Sequence, residues 1–278
     1  MLFRSELRVG GLNTSNTISG PISGPNGNAK LTKVGTGTLT LTGANTYPGL
    51  TKVDGGTLVM NGTTPGAAEV NSGATLKGTG SIGGIVTLNS GGTLAPGASP
   101  GTITIGGLSM NAGSALVVEI GGTTPGSEYD RIQSAGALAL AGTLQVSLYN
   151  GFTPSAGQSF DLLNWGSTSG TFSSINLPTL AGLTWNTSQL YTTGTLSVTS
   201  AGIPGDFNND GKVDAADYVV WRKTDGTPAG YNVWRAHFGQ TAGSGSGSNT
   251  NTAAPEPATL ALLVFAAAGW FLQRCGAA

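Results

Sequence analysis

Between positions 206 and 217 the stretch "DFNNDGKVDAAD" places side-chain oxygens at Asp206, Asn208, Asp210, Asp214 and Asp217, which are positions 1, 3, 5, 9 and 12 of a twelve-residue loop. Gly211 stands at position 6. A hard cation the size of calcium takes about six to eight oxygens, and a loop of this length surrounds one when alternate side chains turn inward and a glycine allows the sharp bend. Lys212, at position 7, supplies its backbone carbonyl in such a loop, so its basic side chain is no obstacle. Charged residues are only 9% of the chain, and carboxylates this close repel one another unless a cation compensates them. Asp206, Asn208, Asp210, Lys212, Asp214 and Asp217 are therefore the expected Ca2+ site. The competing expectation is a plain Asn/Asp-Gly turn, which favours the same residue types.

Other chemistry is sparse. The stretch "GSEYDRI" brings Glu128, Asp130 and Arg131 together in sequence, and residues two apart in a strand share a face. A carboxylate pair on one face of a coil is what a polysaccharide-cleaving enzyme needs, but an Asp–Arg surface pair explains the same residues. Neither a Gly-rich phosphate loop nor a nucleophile triad is present, and His237, the single histidine, has no partner in sequence. The expectation is a protein that is not an enzyme. With 12 basic and 13 acidic residues there is no positive field to release counterions from a phosphate backbone, so no nucleic acid partner is expected. The one cysteine, Cys275, cannot form an internal disulfide.

The scaffold that must carry these groups is read from its repeats. Gly is 47 of 278 residues and hydrophobics are 38%, below the usual range of about 45–50%. The formal charge of -1 and the abundance of Thr, Val, Ile and Leu argue against disorder. The segment Thr38 to Thr42 alternates Thr and Leu, giving an apolar face and a polar one. Triplets ending at Leu39, Leu58, Leu76 and Leu94 recur at spacings of 19, 18 and 18, which predicts a solenoid in which these leucines stack along the interior. One buried leucine contributes roughly 1.5–3 kcal/mol, too little to offset the ordering of its own turn, so only several stacked rungs make a folded unit. Alternation continues through "GTITIGG", "SALVVEIGG", "GALALAGTLQVSL" and "TGTLSVTS". The same coil is expected to extend to residue 200, with roughly nine or ten rungs of about 20 residues, and its end strands need covering.

Three resemblances attach to these residues. Residues 30 to 62, through Lys33, Gly35, Gly37 to Gly43, Asn45 to Tyr47, Gly49, Thr51, Val53 and Gly55 to Leu58, resemble the autotransporter-associated β-strand repeat, and the stretch that follows is similar to a passenger-type β-helix. The resemblance implies a right-handed parallel β-helix on an exported surface protein. The many-stranded membrane barrel of a true autotransporter is not expected among the residues after 200. The loop "DFNNDGKVDAADYVVWRK" resembles a dockerin, with Asp217 in place of the EF-hand glutamate and a helix expected over roughly Ala215 to Lys223. "YNVWRAHFG" echoes that helix thirteen residues on, without a second loop. The resemblance implies a cohesin-like partner, against which stands a hairpin that only caps one end of the coil, with Trp221 and Trp234 as its small core. "PEPATLALLVFAAAGWFLQRCGAA" resembles a PEP-CTERM sorting signal, which implies removal by an exosortase-type processing enzyme.

The expected organisation is thus a β-helix over residues 1–203, a calcium-binding hairpin over 204–240, a Gly/Ser/Thr linker over 241–254 and a sorting segment over 255–278. Residues 258–272 form an uncharged run, expected as a C-terminal apolar helix that contacts the membrane before processing. At about 1.5 Å per residue it spans less than a hydrocarbon core of about 30 Å, so the anchoring is transient or marginal. The first twenty residues show no signal-peptide core of about 7–15 apolar residues. A truncated or misassigned start is the expectation, since the tail demands export. The functional expectation is a non-catalytic cell-surface or extracellular-matrix protein. The alternatives are a dockerin-bearing component of a polysaccharide-degrading assembly, with a cohesin-like protein or a surface polysaccharide as partner, and a β-helical carbohydrate-active enzyme.

Overall fold

The computed structural model describes residues 5–10, 14–25 and 29–241. The chain separates into two compact units, Met1–Thr199 and Ser200–Ala278. The linker from 242 onward, the apolar run 258–272, the sorting segment and Cys275 lie outside the described residues.

The first unit is mainly parallel β structure, with strands stacked in long sheets as in a β-helix. Among the described residues, one sheet has eight strands and a second has eleven. The predicted leucine ladder forms in register: Leu39 lies opposite Leu58, Leu58 opposite Leu76, and Leu76 opposite Leu94. It continues through Leu116, Leu144 and Ile175. Thr38, Thr57, Thr75 and Thr93 alternate with these leucines and stay half-buried, while the leucines are buried. In the second sheet Lys33, Val53, Val70, Leu88 and Met110 make a parallel inward row.

The glycines next to the strands have a steric cause. Gly56 adopts φ 63°, and a Cβ there would press on the carbonyls of Gly37 and Gly35 from the rung before. Only a glycine lets successive turns approach this closely in that conformation.

Lys33 is the exception in its row, fully buried at an inward position. Its ammonium donates to the carbonyls of Val34, Gly35 and Gly55 at 2.9, 2.9 and 3.0 Å, so a buried cation joins two successive rungs. Burial pushes its pKa below the ordinary lysine value. Asn45 does similar work at the next corner. Its amide oxygen accepts from Ile22 N–H and its amide nitrogen donates to the carbonyls of Gly43 and Thr63. Along one turn, Asn111 donates to Asn89, Asn89 to Asn71, and Asn71 to Asp54, forming a polar stack parallel to the leucines.

Two expectations are corrected. Among the described residues the ladder has eight strands rather than nine or ten rungs, because the spacing grows to 22, 28 and 31 residues after Leu94, at Leu116, Leu144 and Ile175. The parallel coil also stops before residue 200. Thr195–Ser200 pairs antiparallel with Ser159–Asp161 and, with Leu183–Asn186, makes a three-stranded sheet. Phe160, Leu196 and Val198 of that sheet join the coil's own buried cluster. Phe160 meets Tyr129 edge-on at 5.5 Å and Trp185 at 6.0 Å. Aromatic side chains thus close the end of the aliphatic row with residues of the same unit. At the opposite edge, Glu6–Gly10 carries Glu6 and Arg8, charges of the kind that discourage edge pairing.

In chemical denaturation, Leu76→Ala is expected to lower the stability of the coil by about 2–5 kcal/mol. Thr75→Ala, one residue away on the outer face, is expected to change it by no more than about 0.5 kcal/mol. Equal effects would contradict the inward assignment of the ladder.

Candidate functional site

The second unit contains two helices, α1 (Ala215–Thr224) and α2 (Pro228–His237). Among the described residues, no helix is long and apolar enough to cross a membrane. The sequence places α1 at Ala215 to Lys223, one residue short of the observed end. Asp214 caps α1: its carboxylate accepts from Ala216 N–H at 2.7 Å, and Asp217 at the third helical position returns a bond to Asp214 N–H at 2.8 Å. This reciprocal capping box satisfies helix-end donors that would otherwise lack partners.

The loop before α1 closes on itself through its carboxylates. Asp206 accepts from Asp210 N–H at 3.2 Å and from Gly211 N–H at 2.9 Å. Asn208 bonds Asp210 twice, through Asp210 N–H and through its own amide to the Asp210 carboxylate. Asp210 also accepts from Lys212 N–H at 2.9 Å. Asp217 is fully buried, and its other oxygen accepts from Asn208 N–H at 3.0 Å, joining the end of the loop to its start. Gly211 has φ 85°, the left-handed turn that position 6 demands.

Asp206, Asn208, Asp210 and Asp217 are therefore tied into one loop, with Lys212 on its outer side and Asp214 directed to the helix cap. Among the described residues, no three His, Cys, Asp or Glu side chains gather closely enough to hold a metal ion. The carboxylates are turned onto the loop's own N–H groups. The donor chemistry suits a hard cation: the side chains offer oxygen, and each carboxylate oxygen keeps a second lone pair. Asp206, Asn208, Asp210, Asp217 and the Lys212 carbonyl are the groups that would hold it.

The hairpin has features that sequence reasoning missed. A three-residue link, Asp225 to Thr227, joins the helices, and Thr227 caps α2 by accepting from Gly230 N–H, with Pro228 at the first turn. No second loop precedes α2. Its place beside the first loop is taken by backbone: Val213 N–H donates to Gln240 O at 2.8 Å, and Gly239 N–H to Val213 O at 2.7 Å. Trp234 is fully buried and donates from Nε1 to the Asp214 carbonyl at 2.7 Å, fastening α2 to the loop's exit. Trp221 donates to Thr227 O. Tyr218 contacts both indoles, at 5.3 and 5.1 Å. Both tryptophans thus serve as core, as expected. His237 is bonded through Nδ1 to Val233 O.

The catalytic alternative depended on Glu128 and Asp130 sharing a face, and the structure separates them. Glu128 is exposed and accepts from Thr123 and Thr124 N–H groups. Asp130 is buried and clamps two strands, accepting from Gly101 N–H at 2.7 Å and Glu119 N–H at 2.8 Å. Arg131 pairs with Asp161 at 2.6 Å. Burial raises the Asp130 pKa to about 7, although both backbone donors pull it down. Because the folded value lies above the unfolded one of 3.8, the contribution of this group is full below about pH 3.8 and is lost as pH rises through 7. Relative to Asp130→Asn, the stability of the native protein should fall between pH 4 and 7 and then level off. Parallel pH profiles from thermal unfolding of the two proteins would exclude this assignment.

Residues 31–60 match the family model of the passenger-associated-transport-repeat. No curated protein matches the chain. The matched stretch holds the Lys33 bridge, the Asn45 corner and the first leucines of the ladder, so the first regular turns of the coil are similar to a passenger-associated-transport-repeat.

Proposed function

We propose that this chain is a non-catalytic exported surface or extracellular-matrix protein built from a β-helical stalk, a calcium-stabilised dockerin-like hairpin and a C-terminal sorting segment. The observation that carries this reading is the passenger-type repeat at 31–60 continuing into an unbroken aliphatic ladder. Right-handed winding is the general preference for parallel crossovers. The stalk's acidic residues support the non-catalytic role, because Asp130, Glu128 and Asp161 are engaged in structural bonds.

Calcium acts in this reading as a staple. It neutralises Asp206, Asp210 and Asp217 and draws Asn208 and the Lys212 carbonyl inward, holding the start of α1 where Trp234 can reach the Asp214 carbonyl. The tail, with Pro255-Glu256-Pro257, the apolar run 258–272 and Arg274, is removed by an exosortase-type enzyme after transient membrane contact.

A second reading, a dockerin-bearing component of a polysaccharide-degrading assembly, is favoured by Val219 on α1 and Val233 on α2, which stay 50% and 38% exposed. Exposed aliphatic groups on both helices suit a cohesin-like protein partner. Retention of the protein on cohesin domains in calcium, lost in Val219→Asp/Val233→Asp, would establish that reading over the first.

Titration calorimetry should show calcium binding to the native chain and none to Asp206→Ala/Asp210→Ala, while the thermal unfolding of the coil stays the same. Equal affinity in the two proteins would remove the cation from this account. Mass spectrometry of the mature protein should find a C-terminus before the apolar run, and an intact Ala278 would overturn processing.

A further inference from the structure

The hairpin presents a cleft of about 230 Å³ lined by Tyr218, Trp221, Arg222, Gly226, Pro228 and Tyr231. It lies where α1 ends and α2 begins. Its walls are aromatic rings, with Trp221 and Tyr231 centred 5.4 Å apart, and its rim is cationic: Arg222 and Lys223 are exposed in the last turn of α1. The nearby acid, Asp225, is engaged by the Thr227 hydroxyl at 2.9 Å. An aromatic cleft with a cationic rim suits an extended proline-containing segment that carries an acidic residue, because proline rings stack on aromatic faces at little entropic cost.

The chain itself supplies such a segment. After Thr241 come thirteen Gly-, Ser-, Thr-, Ala- and Asn-rich residues, 242–254, and then Pro255-Glu256-Pro257, whose glutamate is the sole acid beyond Asp225. Thr241 is bridged to Lys212, three residues before α1, so the cleft at the far end of α1 lies roughly one ten-residue helix away, about 15 Å. For a Gly/Ser-rich sequence of thirteen residues the general root-mean-square span is about 20 Å. A span that matches the separation gives a millimolar-range effective concentration.

We propose that this cleft holds the chain's own Pro255-Glu256-Pro257, with the prolines against Tyr218 and Trp221 and the Glu256 carboxylate at Arg222. Docking withdraws the segment from any enzyme that must grasp it, and its release makes it available.

The test uses the full, unprocessed chain in saturating calcium and follows the Trp221 indole N–H resonance by NMR. In Pro255→Ala/Pro257→Ala the resonance is expected to move, while the coil resonances stay fixed. Arg222→Glu should move it as well, and adding Glu256→Arg to that variant should return it toward the native position. The shift should survive tenfold dilution. An unchanged resonance in the double proline variant, or a charge swap without restoration, would overturn the proposal. A shift that disappears on dilution would also overturn it, assigning the cleft to another copy's tail.

Discussion

The constraint on which the coil depends is register between parallel strands. Because side chains alternate faces with a period of two, slipping one rung by a single residue would turn its leucine to solvent and its threonine to the interior. Leu39, Leu58, Leu76 and Leu94 lie directly opposite one another, so each rung's burial is completed by its neighbours. No rung is stable alone, since a leucine contributes roughly 1.5–3 kcal/mol against about 1–2 kcal/mol for each backbone residue fixed. The near absence of charge follows from this. A stack that lives on contact between equivalent side chains would place like charges about 4.8 Å apart if charged positions repeated. Where charge does recur, on Lys52, Glu69 and Thr87, the sign changes or vanishes at each step.

Register must also be fixed at the corners, and buried polar groups do this. Lys33, Asn45 and Asp130 each reach backbone atoms on another rung. A hydrogen bond across rungs is satisfied in one alignment only, and a buried polar group left without it costs about 1–3 kcal/mol. The aliphatic row supplies stability that tolerates small displacements, while the polar corners supply the penalty for displacement.

This division explains what was legible in the sequence. The ladder was visible because Gly-Thr-Leu and Ala-Thr-Leu triplets recur at nearly constant spacing. Past Leu94 the steps lengthen to 22, 28 and 31 residues, and the rung count failed with them. The antiparallel sheet was illegible because "TGTLSVTS" alternates equally well beside a partner of either direction. The roles of Lys33 and Asp130 were hidden because their partners are backbone groups, which leave no mark in composition. The acidic loop was legible because its constraint is local: the loop residues lie within twelve positions, and their bonds run between near neighbours. The contact of Val213 with Gln240 was not, since any residue could supply those backbone groups.

That last contact bears on how one loop can stand without a second. Here position eight is Val213, fully buried, and its N–H and C=O are both taken by the chain at Gly239 and Gln240. The segment after α2 therefore braces the loop through its backbone alone. Trp234 then fixes the remaining freedom by holding the Asp214 carbonyl from α2. The loop before α1 is thus supported from the far side of the hairpin, so a single loop keeps its shape without a second beside it.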